Sequence, residues 1–102
     1  MKNRLGCCAP FCRRTVARDK LRADHDEWLC QIHWKLVPKA LKRRKKLTEK
    51  IADRAEARFM QLYDQQGGYT IAQLQRVQSA KNLAHKAWER CKAAAIERAA
   101  GL

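Results

Sequence analysis

Apolar residues recur at helical spacing in two long stretches of the chain, beginning after Pro38. In the first stretch, steps of about four residues place them on one face of a helix. These positions are Leu41, Leu47, Ile51, Ala55, Phe59 and Leu62. The pattern predicts a helix over about residues 38–65. A weaker boundary lies at Thr48, which could cap a second helical segment because threonine is a good N-cap residue.

The second stretch follows Gly67-Gly68, which can end a helix, and Thr70, which can cap the next one. Its apolar positions are Ile71, Leu74, Val77, Ala80, Ala84, Trp88, Cys91 and Ala95. They predict a helix over about residues 70–100, with Cys91 as a small buried residue. The short connection predicts an antiparallel hairpin with facing stripes. Because many stripe positions are alanine, an apolar face is left that would accept a partner helix or a second copy, as a homodimer.

Cysteine and histidine are concentrated before these helices. Cys7 or Cys8, together with Cys12, forms one pair, and Cys30-x2-His33 forms the other. Four such ligands at this spacing are typical of tetrahedral zinc sites. The alternative is a set of buried thiols packed around tryptophans.

The order of these pairs predicts the fold class. A knuckle with Pro10 in its turn, a short β-hairpin between the pairs and a helix carrying the second pair would make a treble-clef-like finger. The sequence therefore predicts a mainly α protein with a zinc-binding finger over residues 1–35 and a long helical hairpin over residues 36–102. Four protein ligands leave zinc no open position, so the zinc would be structural. We expect Phe11, Trp28 and Trp34 to form a small core beside it.

The residues around the pairs resemble a group of small, largely uncharacterised phage and prophage zinc-finger proteins. The shared motif is C-x4-C, then C-x2-H-W and a Val-Pro step; it covers residues 7–12 and 30–44, and the tail over residues 88–101 is also similar. The resemblance implies a phage origin, a zinc site and no settled activity. It implies Cys7 as the first ligand, although the Cys7-Cys8 doublet departs from the motif and leaves Cys8 as an alternative.

Asp24-His25-Asp26, placed before Cys30, is similar to the HNH nuclease motif. In that family a histidine activates water, and an asparagine lies in the loop before the last cysteine pair. Only four residues separate His25 from Cys30, and that loop is absent. The chain also has no Gly-rich phosphate loop and no credible Ser-His-Asp set, so we expect a protein without catalytic activity.

The charge of the 102-residue chain is strongly positive, at +13. Residues 1–54 carry net +10 and residues 55–102 net +3. Such an excess favours a polyanionic partner. The predicted nucleic-acid contacts lie beside the knuckle and at the start of the first long helix: Arg13, Arg14, Lys39, Lys42, Arg43, Arg44, Lys45 and Lys46.

Two functions fit this sequence. The first is a phage accessory or regulatory factor that binds nucleic acid. The second is a module that docks on a host protein complex, such as a polymerase, a nuclease or a CRISPR complex. We expect no membrane partner, since no apolar run approaches the roughly 20 residues that a span needs. Residues 1–10 lack the apolar core of a signal peptide, which predicts a cytoplasmic protein.

Overall fold

The structure is a computed structural model that describes residues 3–22 and 25–101. It is mainly helical. Strands β1 (Arg4–Gly6) and β2 (Thr15–Ala17) precede a single helical turn, α1 (Gln31–Trp34), and two long helices, α2 (Lys39–Gln66) and α3 (Ile71–Ala99). The predicted order of Cys/His segment and helical hairpin is therefore confirmed.

The chain divides into two compact units. One contains the part up to Pro38 and the part from Cys91 onward, and the other is Lys39–Arg90. The second unit holds all of α2 and most of α3, and the first holds the strands, α1 and the last turns of α3.

The connection between the long helices has the predicted turn chemistry. Gly67 has φ 71°, and its N–H donates to the carbonyl of Tyr63, 2.8 Å away. Thr70 Oγ1 accepts from the N–H of Gln73 at 3.1 Å, while Gln73 Oε1 accepts from the N–H of Thr70 at 2.8 Å. This reciprocal pair is a capping box, which satisfies two N–H groups that the start of a helix leaves unpaired. The prediction that Thr70 caps α3 is confirmed.

The weaker boundary predicted at Thr48 is wrong, because α2 is continuous through that residue. Thr48 is buried, and its hydroxyl donates to the carbonyls of Arg44 and Lys45, each 2.9 Å away. These bonds satisfy the hydroxyl inside the helix, so the residue is compatible with an apolar environment.

The buried side of α2 is rotated relative to the predicted stripe. Leu47 and Ile51 are 58% and 42% exposed, whereas Thr48 and Ala52 are buried. Half-buried and buried positions alternate in steps of four and three: Leu41, Lys45, Thr48, Ala52, Ala55, Phe59 and Leu62. This spacing resembles a heptad repeat, and we call these positions the seam. A heptad repeat keeps the buried positions facing a packed partner helix, whereas steps of four residues drift around the helix.

On α3, the buried positions of the Lys39–Arg90 unit are Val77, Ala80 and Ala87. Within this unit Lys81 Nζ on α3 lies 3.3 Å from Glu56 Oε2 on α2. Small residues at the centre of the seam allow two helices to approach closely.

The first unit is built on a two-stranded antiparallel sheet. Leu5 pairs with Val16 at its centre, and both side chains are half-buried. We predicted a hairpin between the two Cys/His pairs. The strands instead flank the first pair, so the knuckle is the turn of the hairpin. The buried residues of this unit are Ala9, Leu29, Cys30, Val37, Cys91 and Ala95. The predicted burial of Cys91 is confirmed, since it is 0% exposed.

Candidate metal centre

The turn between β1 and β2 presents the first two thiols. The ladder extends one step past the strands, because the N–H of Cys7 donates to the carbonyl of Arg14 at 2.9 Å. The N–H of Cys12 then donates to the carbonyl of Ala9 at 3.2 Å, which closes the turn. Ala9 is buried and Pro10 is exposed. This local folding brings the side chains of Cys7 and Cys12 to one side of the knuckle.

The second pair comes from the start of α1. Cys30 is the N-cap residue of this turn, and its carbonyl accepts from the N–H of Trp34 at 2.8 Å. Residues three apart in a helical turn lie on the same side, so Cys30 and His33 point together. The N–H of Cys8 donates to the carbonyl of Trp28 at 2.8 Å, and this bond joins the knuckle to the segment before α1.

The four predicted ligand residues lie together. The ligand atoms of Cys7, Cys12, Cys30 and His33 are all within 4.8 Å of one another. His33 Nδ1 lies 3.6 Å from Cys7 Sγ and 3.2 Å from Cys30 Sγ, and the Sγ atoms of Cys12 and Cys30 are 3.9 Å apart.

These separations can be compared with a tetrahedral zinc site. Zn–S bonds of about 2.3 Å and Zn–N bonds of about 2.0 Å place two sulfurs about 3.8 Å apart and a sulfur and a nitrogen about 3.5 Å apart. The three separations given above differ from these values by about 0.1 to 0.3 Å, and all six lie within 4.8 Å. The donor set is therefore consistent with a four-coordinate metal site.

The electrostatic environment of the cluster favours a thiolate at Cys30. Burial raises the pKa of this thiol, but hydrogen bonds from the backbone and side chain of His33 and from the thiols of Cys7 and Cys12 outweigh it and bring the pKa to about 6. Burial raises the pKa of Cys7 above its usual value. The N–H of Cys30 donates to Cys7 Sγ at 3.3 Å, which is a contact that stabilises a thiolate.

Cys8, the alternative first ligand, points away from the cluster. Its thiol donates to Glu27 Oε2 over 4.0 Å, and the same carboxylate oxygen accepts from Lys92 Nζ at 2.9 Å. Cys8 thus contacts an ion pair of the first unit, and Cys7 provides the sulfur that faces His33.

The predicted aromatic core is wrong in one member. Trp28 and Trp34 are half-buried, but the Phe11 side chain is fully exposed, at 102%. Phe11 is also the one non-glycine residue of the described chain with a positive φ, at 67°. This positive φ lies within the knuckle turn, where the ring is exposed to solvent.

The predicted nucleic-acid residues are not equivalent in the structure. Arg13 and Arg14 in the knuckle and Lys39, Arg43, Arg44 and Lys46 on α2 are exposed, whereas Lys42 is half-buried. Lys45 lies on the seam of the helical hairpin. Its Nζ is 3.0 Å from Glu49 Oε2 and 6.0 Å from the ring centroid of Trp88, so its charge is already compensated.

Sequence reasoning missed how the α2 cations are ordered. Lys39, Arg43, Lys46, Lys50 and Arg54 follow one another on the side of α2 opposite the seam, and all five are exposed. We name this set the outer cationic row. None of the five forms an ion pair with a described residue. Three of them line a shallow groove with Leu47: Arg43, Lys46 and Lys50. The spacing of 4, 3, 4 and 4 residues is a sequence signal that would have found the row.

The structure describes only part of the nuclease-like segment. His25 is half-buried, and its N–H donates to the carbonyl of Arg22 at 2.9 Å. Asp24, which precedes His25 in the nuclease-like motif, lies outside the described residues. Across residues 3–22 and 25–101, no helix combines the length and apolar character needed to cross a membrane.

Comparisons with protein-family models, with curated proteins and with solved structures find no match for this chain.

Proposed function

We propose that the cluster binds one structural zinc ion through Cys7, Cys12, Cys30 and His33, in a treble-clef-like finger of the phage type. The donor separations support zinc, and a knuckle followed by a pair at a helix start supports the fold class. Four protein ligands close the coordination sphere, so the metal would stabilise the fold rather than activate water. Its binding free energy would contribute directly to the folding of the finger.

We propose further that the protein binds nucleic acid in the host cytoplasm, as a phage accessory or regulatory factor without catalytic activity. The observation that carries this proposal is the outer cationic row. Its five exposed cations lie between Lys39 and Arg54, which are 15 residue steps apart on the helix, or about 22 Å at 1.5 Å per residue. A straight row of this length matches a run of backbone phosphates.

The physical basis of binding is electrostatic. Cations four residues apart on a helix repel each other, and a polyanion relieves this repulsion while releasing its own condensed counterions. Contacts of this kind position a protein on a phosphate backbone without reading the bases. We therefore propose binding of low sequence specificity from this row.

A matched pair of triple variants tests the proposal. The first removes Arg43, Lys46 and Lys50 by substitution with glutamine. The control removes three exposed cations of α3 in the same way: Arg76, Lys86 and Arg90. Both variants lose the same net charge, so a general electrostatic effect would weaken them equally.

We expect the first variant to bind a duplex oligonucleotide far more weakly than the control. The plot of log association constant against log salt concentration should become less steep by about 2 to 3, since each lost phosphate contact contributes about 0.9 to the slope. Equal affinities and slopes for the two variants would overturn the row as the binding surface.

The structure offers a specific observation for a second candidate function, docking on a host protein complex. Near the turn of the helical hairpin, four apolar or aromatic side chains are 42% to 73% exposed: Met60, Tyr63, Tyr69 and Ile71. Tyr63 and Tyr69 stack with ring centroids 6.1 Å apart. Exposed aromatic residues of this kind are typical of protein interfaces.

Capture from host lysate separates the two candidates. Zinc-loaded protein is immobilised, and bound material is compared with and without nuclease treatment. Loss of all bound material after nuclease supports nucleic-acid binding. One host complex that survives nuclease, and that is lost on Tyr69→Ser, supports docking through the end of the hairpin.

A further inference from the structure

The Phe11 side chain has no packing role among the described residues. Its ring is fully exposed, and it makes no ring contact with another described residue. A buried ring would contribute to stability through the area it removes from water, but this ring removes none.

The backbone of Phe11 makes this placement more unusual. At φ 67° a side chain crowds its own backbone, and glycine or asparagine adopts this conformation more easily. The turn would therefore form more readily with glycine at this position. Backbone strain that persists without a structural benefit is found most often at functional sites.

The backbone next to Phe11 is held by contacts of the knuckle. Its next neighbour Cys12 is a member of the candidate metal centre, and the Cys12 N–H is fixed to the carbonyl of Ala9 at 3.2 Å. An aromatic ring on a fixed backbone loses little conformational entropy on binding, which suits a residue that anchors a ligand.

The charge around Phe11 indicates what this ligand is. Residues 3–20 contain five cations and one acid, Asp19. Arg13 and Arg14, two and three residues further on, are exposed, and neither side chain forms an ion pair or hydrogen bond with a described residue. Arg4 is held against the hairpin, because its Nε donates to Thr15 Oγ1 at 2.8 Å. An apolar protein pocket would not require this concentration of positive charge, whereas a nucleotide presents a flat base next to a phosphate.

We propose that Phe11 is the stacking residue for an unpaired base, with Arg13 and Arg14 on the flanking phosphates. In a duplex the faces of the bases are covered by their neighbours, so a single projecting ring reaches only an unstacked base. The finger therefore selects single-stranded nucleic acid, while the outer cationic row binds phosphates of either form. This inference rests on the proposed nucleic-acid binding and adds the preferred form of the ligand.

The test is a binding titration by fluorescence anisotropy, with the full zinc-loaded chain and three 20-nucleotide probes. The probes are a single strand, the same sequence as a duplex, and a single strand with abasic sites. The variants are Phe11→Gly, which relieves the strained backbone, and Phe11→Trp, which keeps an aromatic face. Leu83→Ala is the control, because Leu83 is another exposed apolar residue, at 49%, in the other unit. Zinc content and circular dichroism verify that each variant is folded, and Phe11→Asn replaces Phe11→Gly if that variant is not.

We expect Phe11→Gly to bind the single strand about tenfold more weakly, as stacking on one base requires. Its affinity for the duplex and for the abasic strand should equal that of the unmodified protein. Phe11→Trp and Leu83→Ala should bind all three probes normally.

The inference is overturned if Phe11→Gly binds the single strand as tightly as the unmodified protein, or if it loses affinity for all probes equally. Loss of a nuclease-resistant protein partner on Phe11→Gly, with normal nucleic-acid binding, would also overturn it. Failure of the proposed function itself looks different, because the unmodified protein then binds none of the probes.

Discussion

The Nδ1 atom of His33 lies 3.6 Å from the Sγ atom of Cys7, whereas the adjacent thiol of Cys8 donates to Glu27 over 4.0 Å. The two cysteines are chemically identical neighbours that differ only in direction. We therefore predict that Cys8→Ser keeps one zinc per chain and that Cys7→Ser loses it. Elemental analysis of protein purified without chelator measures this directly.

The pair of serine variants is its own control, because each removes one thiol from the same dipeptide. Retention of zinc by Cys7→Ser together with loss by Cys8→Ser would show that the knuckle uses the other sulfur. Absence of zinc from the unmodified protein would remove the metal assignment altogether.

Lys45 and Lys46 are neighbours with opposite expected roles. Lys45 is paired with Glu49 and lies over Trp88 at the seam, whereas Lys46 is exposed in the outer cationic row. We predict that Lys45→Gln lowers the free energy of unfolding by about 0.5 to 1 kcal/mol, the sum of a helical ion pair and a cation–π contact. Its effect on nucleic-acid affinity should be small.

For Lys46→Gln we predict the reverse result, which is normal stability and weaker, less salt-dependent binding. Urea unfolding and anisotropy titration of both variants make the comparison. A greater loss of nucleic-acid affinity in Lys45→Gln than in Lys46→Gln would contradict the assignment of Lys45 to stability and of Lys46 to binding.

The burial of apolar residues on α2 and α3 predicts which of them stabilise the hairpin. Val77 is 8% exposed and Leu47 is 58% exposed. Val77→Ala should lower the free energy of unfolding by about 1.5 to 2 kcal/mol, at about 0.8 kcal/mol for each buried methyl group lost. Leu47→Ala should change it by less than about 0.5 kcal/mol, as is usual for an exposed position.

Thermal or urea unfolding of the two variants, both loaded with zinc, provides the measurement. A larger loss for Leu47→Ala than for Val77→Ala would restore the stripe of four-residue steps as the packed face of α2.

Local chemistry explains which features could be predicted from the sequence. The helix end at Gly67 and the cap at Thr70 depend on residues within a few positions, and both are present as predicted. The meeting of Cys7, Cys12, Cys30 and His33 was predictable because a metal restricts both residue type and spacing. Which of the Cys7 and Cys8 side chains faces the cluster could not be predicted, because it depends on bonds between the knuckle and residues 27–30.

The features that the sequence did not reveal depend on tertiary geometry. The hydrophobicity of Leu47 and Ile51 suggested the core, but the seam is filled by Thr48 and Ala52, whose small side chains allow close helix packing. Phe11 was placed with the tryptophans because large aromatic residues are usually buried. In the folded knuckle it is exposed and has a positive φ, and neither feature has a signal in the local sequence.

The most direct test of the central claim is a salt series. The affinity of the zinc-loaded protein for a single-stranded 20-nucleotide probe is measured by anisotropy at several salt concentrations. The outer cationic row and the knuckle arginines predict a linear fall of log K with log salt, with a slope near −4 to −5 if about six phosphates are contacted. Absence of binding at low salt, or an affinity that does not change with salt, would contradict the account.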